Sequence, residues 1–132
     1  MIDFFMMMQP PTTTFQAKKI NWKNKAIYES EEAKEARSKL ESYLARHAPE
    51  KPLTGPLALT AVWLYKTDDD KRVGSPKETK PDLDNMNKLL ADSMTKLGFW
   101  KDDAQLSRIC LEKYWNDLPG IYIKIEEIED ED

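Results

Sequence analysis

Hydrophobic and polar positions change period several times along the chain, and each change marks an element. Residues 2–8 form a short apolar run that Pro10 and Pro11 terminate, which predicts a strand. A polar stretch with Phe15 follows. An extended segment near Ile20–Trp22 then turns at Asn24–Lys25 into Ala26–Tyr28, a small hairpin. Ala33, Ala36, Leu40, Tyr43 and Leu44 recur at helical spacing until Pro49, predicting a helix over residues 30–47. Ser30 is its expected N-cap, Glu31 and Glu32 suit its positive end, and His47 falls in its last turn as a structural residue.

Leu57–Tyr65 is nearly uninterrupted in apolar strand formers and reads as a central strand. Residues 67–79, with Asp68–Asp70, Lys71, Arg72 and Gly74, read as a mobile, solvated loop. Leu83, Met86, Leu90, Met94 and Leu97 stripe a second helix that starts at Pro81–Asp82 and stops at Gly98. After the apolar plug Phe99–Trp100 and a turn at Lys101–Asp103, a strand is predicted over 105–115. A final strand follows, with Ile121, Ile123 and Ile125 on its buried face. The pattern is a mixed α/β (α+β) single domain with a small mixed sheet and two main helices. Phe4, Phe5 and Met6–Met8 are assigned to the core rather than to an interface.

A chain of 132 residues buries enough apolar surface to fold without a disulfide or a structural metal. Its single cysteine, Cys110, excludes an internal disulfide and multi-thiolate zinc, and its single histidine excludes a two-imidazole site. No stretch is long enough to span a membrane, and the apolar start lacks a basic leader. A reducing cytoplasm is therefore the expected location. The net charge of −4 is unevenly distributed, because six acids crowd the last seven residues. Residues 1–125, the expected domain, keep 18 of the 24 acids against 20 bases, a balance of +2. Residues 126–132 are an acidic tail expected to fray. Local basic clusters therefore leave a nucleic-acid partner open despite the acidic total.

The residues that carry chemistry are Asp82 and Asp84 at the start of the second helix, and Asp102 and Asp103 just past its end. Hard oxygen donors of this kind suit Mg²⁺ or Mn²⁺. Lys88, one turn after Asp84, is placed to stabilise extra charge on a phosphoryl group. On spacing alone the plainer readings are favoured: an N-cap for Asp82, a dipole-stabilised charge for Asp84 and an ordinary turn for Asp102–Asp103. From spacing alone, a metal-dependent phosphoryl site and a plain capped helix both stay open. The helix between the two acid groups spans on the order of 20 Å, so it cannot itself join them.

Lys80–Pro81–Asp82–Leu83–Asp84–Asn85, Lys88 and Gly98–Phe99–Trp100–Lys101–Asp102–Asp103–Ala104–Gln105 resemble the signature of the RusA family of Holliday junction resolvases. The resemblance implies a compact mixed α/β homodimer that uses Mg²⁺, with Mn²⁺ as a substitute, to nick paired strands across a four-way DNA junction in recombination and repair. It assigns the essential carboxylates to Asp82, Asp84 and Asp103, the catalytic lysine to Lys88, and a supporting ligand role to Asp102. DNA contacts are expected from Lys18, Lys19, Lys71, Arg72, Lys77 and Lys80. Phe15 either stacks in the junction centre or packs on its own domain. A phage origin fits by analogy. The rival readings are a nuclease with a broader range of branched DNA substrates and a junction-binding protein without catalysis.

Overall fold

A computed structural model describes residues 1–12, 18–21, 26–29 and 31–129, the two short stretches by their backbone alone. Strand β1 (Ile2–Met6) leads to the hairpin β2 (Lys18–Asn21) and β3 (Ala26–Glu29), then to helix α1 (Glu31–Leu44). Strand β4 (Leu57–Lys66), helix α2 (Leu83–Lys96), strand β5 (Leu106–Asn116) and strand β6 (Gly120–Glu127) complete the chain. The main sheet is ordered β1-β6-β4-β5. β6 runs antiparallel to both β1 and β4, whereas β5 runs parallel to β4. The expected mixed α/β class and the central position of Leu57–Tyr65 are both observed.

Alternation dictates which face is buried. Leu57, Leu59, Ala61, Trp63 and Tyr65 of β4 and Ile121, Ile123 and Ile125 of β6 point to one side. Leu40 and Leu44 of α1 and Met86, Leu90 and Met94 of α2 cover them, with Phe99 and Trp100 closing the lower end. α2 stops where the sequence predicts. Gly98 takes φ +85°, its N–H bonds the Thr95 carbonyl, and the Phe99 N–H reaches back to Met94 (3.0 Å). That pair of bonds is a Schellman cap. His47 ends a short 3₁₀ turn and stacks on Phe4, with ring centroids 4.1 Å apart.

A parallel pair cannot be joined by a tight turn, so the chain crosses from the end of β4 to the start of β5 through α2. The loop before α2 is pinned rather than free. Its 74–77 segment lies antiparallel against the upper half of β5, through Gly74 N–H to Trp115 O (2.8 Å), Trp115 N–H to Ser75 O (2.9 Å) and Lys77 N–H to Lys113 O (3.0 Å). At the other end, the Leu53 N–H donates to Phe99 O (2.9 Å). The lower half of β5 has no strand on its outer side among the described residues.

Other expectations change as well. β1 ends at Met6, and although Met6 and Met8 are buried, Phe5 and Met7 are 44% and 69% exposed, because alternation turns them to the other face. Phe5 lies over Gly120 on that face, so close that a Cβ there would sit 2.0 Å from the ring. The acidic tail begins later than position 126. Glu126 and Glu127 pair with Ala58 and Leu57, and the Ile128 N–H bonds Pro56 O. Ser30, the expected cap of α1, and Asp130–Asp132 lie outside the described residues.

Leu90 is fully buried between helix and sheet. Leu90→Ala is expected to destabilise the fold by about 3 kcal/mol, measured by urea denaturation.

Candidate active site

Leu83, Asn85 and Met86 turn toward the core at the start of α2, leaving Asp82, Asp84 and Lys88 exposed along its outer side. Asp82 holds the N-cap position with φ −72° and ψ 140°, and its carbonyl accepts the first helical bond from the Met86 N–H (3.0 Å). Its carboxylate makes no capping bond. The capping role that spacing allowed is thus filled by backbone geometry alone, and both carboxylate oxygens stay uncommitted. Among the described residues, the side chains of Asp82, Asp84 and Lys88 have no ion-pair partner. Asn85 is buried, with its Oδ1 unpartnered among the described residues.

The second acid group divides in two. Asp102 caps the 3₁₀ turn Asp103–Gln105, its Oδ1 accepting from the Ala104 N–H at 2.8 Å. Gln105 locks this turn. Its Oε1 accepts from the Lys101 and Asp102 N–H groups, and its Nε2 donates to the Leu53 and Gly55 carbonyls. Asp103 is exposed and free of any such duty. The sequence quoted Gln105 only as part of a motif. Its role becomes visible once both ends of its amide are matched to partners.

Asp82 and Asp84 sit at the β4-exit end of the sheet, whereas Asp103 precedes β5 at the β4-entry end. The fourteen residues of α2 separate them by about 20 Å. Accordingly, among the described residues, no three His, Cys, Asp or Glu side chains of one chain converge on a metal position. Asp82, Asp84 and Lys88 are thus exposed over the first half of α2, and Asp102 and Asp103 lie apart from them beyond its other end.

The basic residues sort by burial. Lys71, Arg72 and Lys80 are exposed on the approach to α2. Arg72 pairs with Asp69 (3.8 Å), and its guanidinium lies 5.9 Å from the Trp115 ring centroid. Lys77 is buried at 8% exposure, and this corrects its assignment as a DNA contact. Its ammonium lies 5.1 Å from the Tyr65 ring and 4.6 Å from the Trp115 ring, and it donates to the carbonyls of Thr79 and Lys80 and to the Thr79 hydroxyl. Burial, reinforced by the nearby Lys113 ammonium, holds Lys77 below the ordinary lysine pKa. Lys113 itself went unremarked in the sequence. It donates to the carbonyls of Thr79 and Pro81. The available signal was its parity, since it shares a strand face with Ile109, Leu111 and Trp115. The side chains of Lys18 and Lys19, and the whole of Phe15, lie outside the described residues.

The family model for the endodeoxyribonuclease RusA matches residues 9–126, nearly the whole chain. The chain belongs to the RusA family. One RusA relative, the crossover junction endodeoxyribonuclease of Lactococcus phage r1t, is 37% identical over 73 residues, which cover 55% of this chain and 56% of that protein. The Bacillus subtilis (strain 168) protein YqaN is 28% identical over 96 residues, covering 64% and 66% of the two chains. The chain thus spans between about half and two thirds of the length of these relatives. The RusA match encloses both acid groups and both inward lysines. Among the described residues, no helix is long and apolar enough to cross a membrane.

Gln105→Ala is expected to cost about 1–3 kcal/mol, because two carbonyls and two N–H groups lose a partner. Hydrogen exchange at the Lys101 and Asp102 amides should accelerate, while that of the β4 amides should stay unchanged.

Proposed function

We propose that this chain is a Mg²⁺-dependent endonuclease that resolves four-way DNA junctions by paired nicks, acting as a homodimer in recombination and repair. The observation that carries the reading is the uncommitted state of Asp82 and Asp84 at a helix start in a RusA-family chain. Mg²⁺ is commonly held by one or two carboxylates, with water and substrate phosphate completing its shell, so this donor pair fits it. A bound divalent ion would supply an activated water and polarise the phosphoryl oxygen. Asp82 and Asp84 are the residues that would hold that ion. Lys88, on the same exposed side, neutralises charge that develops on the phosphate. Lys71, Arg72 and Lys80 grip the flanking backbone and make binding depend on salt. The phage relative is named as a crossover junction endodeoxyribonuclease, which supports the substrate class.

Asp103 enters this reading through the second copy. A two-fold axis across the strand direction exchanges the two ends of neighbouring sheets, so one chain's Asp103 approaches its partner's Asp82 and Asp84. The open lower edge of β5 suits such an arrangement, and the junction's own two-fold symmetry then receives one site per strand. Asp103, not the capping Asp102, is the acid left available for this role.

A synthetic four-way junction with Mg²⁺ should give symmetric paired nicks, and none with chelator. Asp84→Asn should bind the junction while losing at least about 10²-fold in cleavage rate. Binding by the wild-type protein without cutting under any divalent metal would favour the non-catalytic rival. Equal cutting of forks and linear duplex would favour the broader nuclease.

A further inference from the structure

Three consecutive carbonyls, those of Thr79, Lys80 and Pro81, accept hydrogen bonds from only two ammonium groups. Lys77 Nζ reaches Thr79 O (3.3 Å) and Lys80 O (2.6 Å), and Lys113 Nζ reaches Thr79 O and Pro81 O (2.7 Å). The next residue is Asp82. We propose that Lys113 is a positioning residue of the Asp82–Asp84 carboxylate site, fixing the peptide that leads into it; this rests on the metal-dependent reading above.

The argument begins with where Lys113 stands. In β5 it is paired with fully buried Trp63 of β4 and shares its face with Ile109, Leu111 and Trp115. A half-buried ammonium among apolar side chains is costly unless its protons are satisfied. Here the Thr79 and Pro81 carbonyls satisfy them, and the bonds join a strand of the central sheet to a segment with no ladder of its own. The Pro81 carbonyl belongs to the same peptide plane as the Asp82 nitrogen. Holding that oxygen therefore sets the plane from which Asp82 departs. On the far side, buried Asn85 and Met86 anchor the first turn of α2. Asp82 and Asp84 are thus gripped from both flanks by main chain, while their own carboxylates stay free.

Two like-charged carboxylates on a loose segment would separate, and gathering them on a cation would cost conformational entropy. An anchored backbone removes most of that cost before the ion arrives. Lys77 shares in the work, but it sits between the Tyr65 and Trp115 rings, so replacing it also disturbs the core. Lys113 is the cleaner probe.

The experiment measures Mn²⁺ binding to the full chain by electron paramagnetic resonance, Mg²⁺-dependent junction cleavage, and metal-free junction affinity. Lys113→Met is expected to weaken Mn²⁺ binding about tenfold or more, and to raise the Mg²⁺ needed for half-maximal cleavage by a similar factor. Metal-free junction affinity should stay within about twofold of wild type, since Lys113 is not among the phosphate contacts. Lys113→Arg keeps the donors and should recover Mn²⁺ affinity to within about threefold of wild type. Every variant is compared below its own melting midpoint. Lys113→Gln serves as a second neutral substitution, so a folding defect in one leaves the other to decide. Unchanged Mn²⁺ affinity in the folded neutral variant overturns the proposal, and so does junction binding that falls in step with cleavage. Wild-type protein that binds Mn²⁺ but never cuts removes the nuclease reading, and Lys113 is then judged on Mn²⁺ binding alone. If wild type neither binds nor cuts, both fall.

Discussion

Because β4 and β5 are parallel, the chain must travel the full height of the sheet between them, and α2 is the element that makes the return. The placement of chemistry follows from that constraint. A motif at the start of α2 lands at one end of the sheet, and a motif after its end lands at the other. The same crossover delivers the 74–77 segment to the upper edge of β5, where Lys113 reaches the chain just ahead of Asp82. One pairing choice in the sheet therefore both separates the two acid groups and braces the first of them.

Charge at the site divides into groups held by the fold and groups left for a ligand. Asp102 is occupied by its own turn, whereas Asp82, Asp84 and Asp103 are not. Lys77 and Lys113 are occupied by main-chain oxygens, whereas Lys80 and Lys88 are exposed. The division is physical: a buried ion must be fully hydrogen-bonded to persist, and once bonded it is no longer offered to solvent or phosphate. Formal charge counts along the chain cannot make this distinction.

Much of the fold was legible because its signals are local. The helical stripe Leu83–Leu97 and the glycine stop at Gly98 are both in place, and so is the alternation of Ile121, Ile123 and Ile125. At the site, the D-x-D-N motif and Lys88 could be located on the sequence, and Asp84 and Lys88 are both exposed, one turn apart, as their spacing requires, while Asn85 turns to the core. What could not be read was long-range. Lys77 sits in a basic, polar loop and looks like any solvated lysine until β4 and β5 supply the rings that enclose it. Asp103 belongs to the same family signature as Asp82 and Asp84, yet α2 sets it at the opposite end of the sheet, and which copy's carboxylates it could meet is not written in one chain's sequence. Glu126 and Glu127 look like the start of a solvated tail, but ladder bonds to β4 hold the backbone in place whatever the side chains prefer.

The contact between Phe5 and Gly120 ties together two positions near opposite termini of the chain. A side chain at 120 would enter the space the ring already occupies, and the ring covers backbone that a glycine would otherwise expose to water. The coupling acts through the ring: a larger residue at 120 becomes tolerable once the half-exposed Phe5 side chain has shrunk or swung away, whereas a smaller residue at 5 leaves the Gly120 backbone uncovered. Among relatives that share this sheet, the two columns should therefore vary as a pair, with an aromatic opposite glycine or a small residue opposite a larger one.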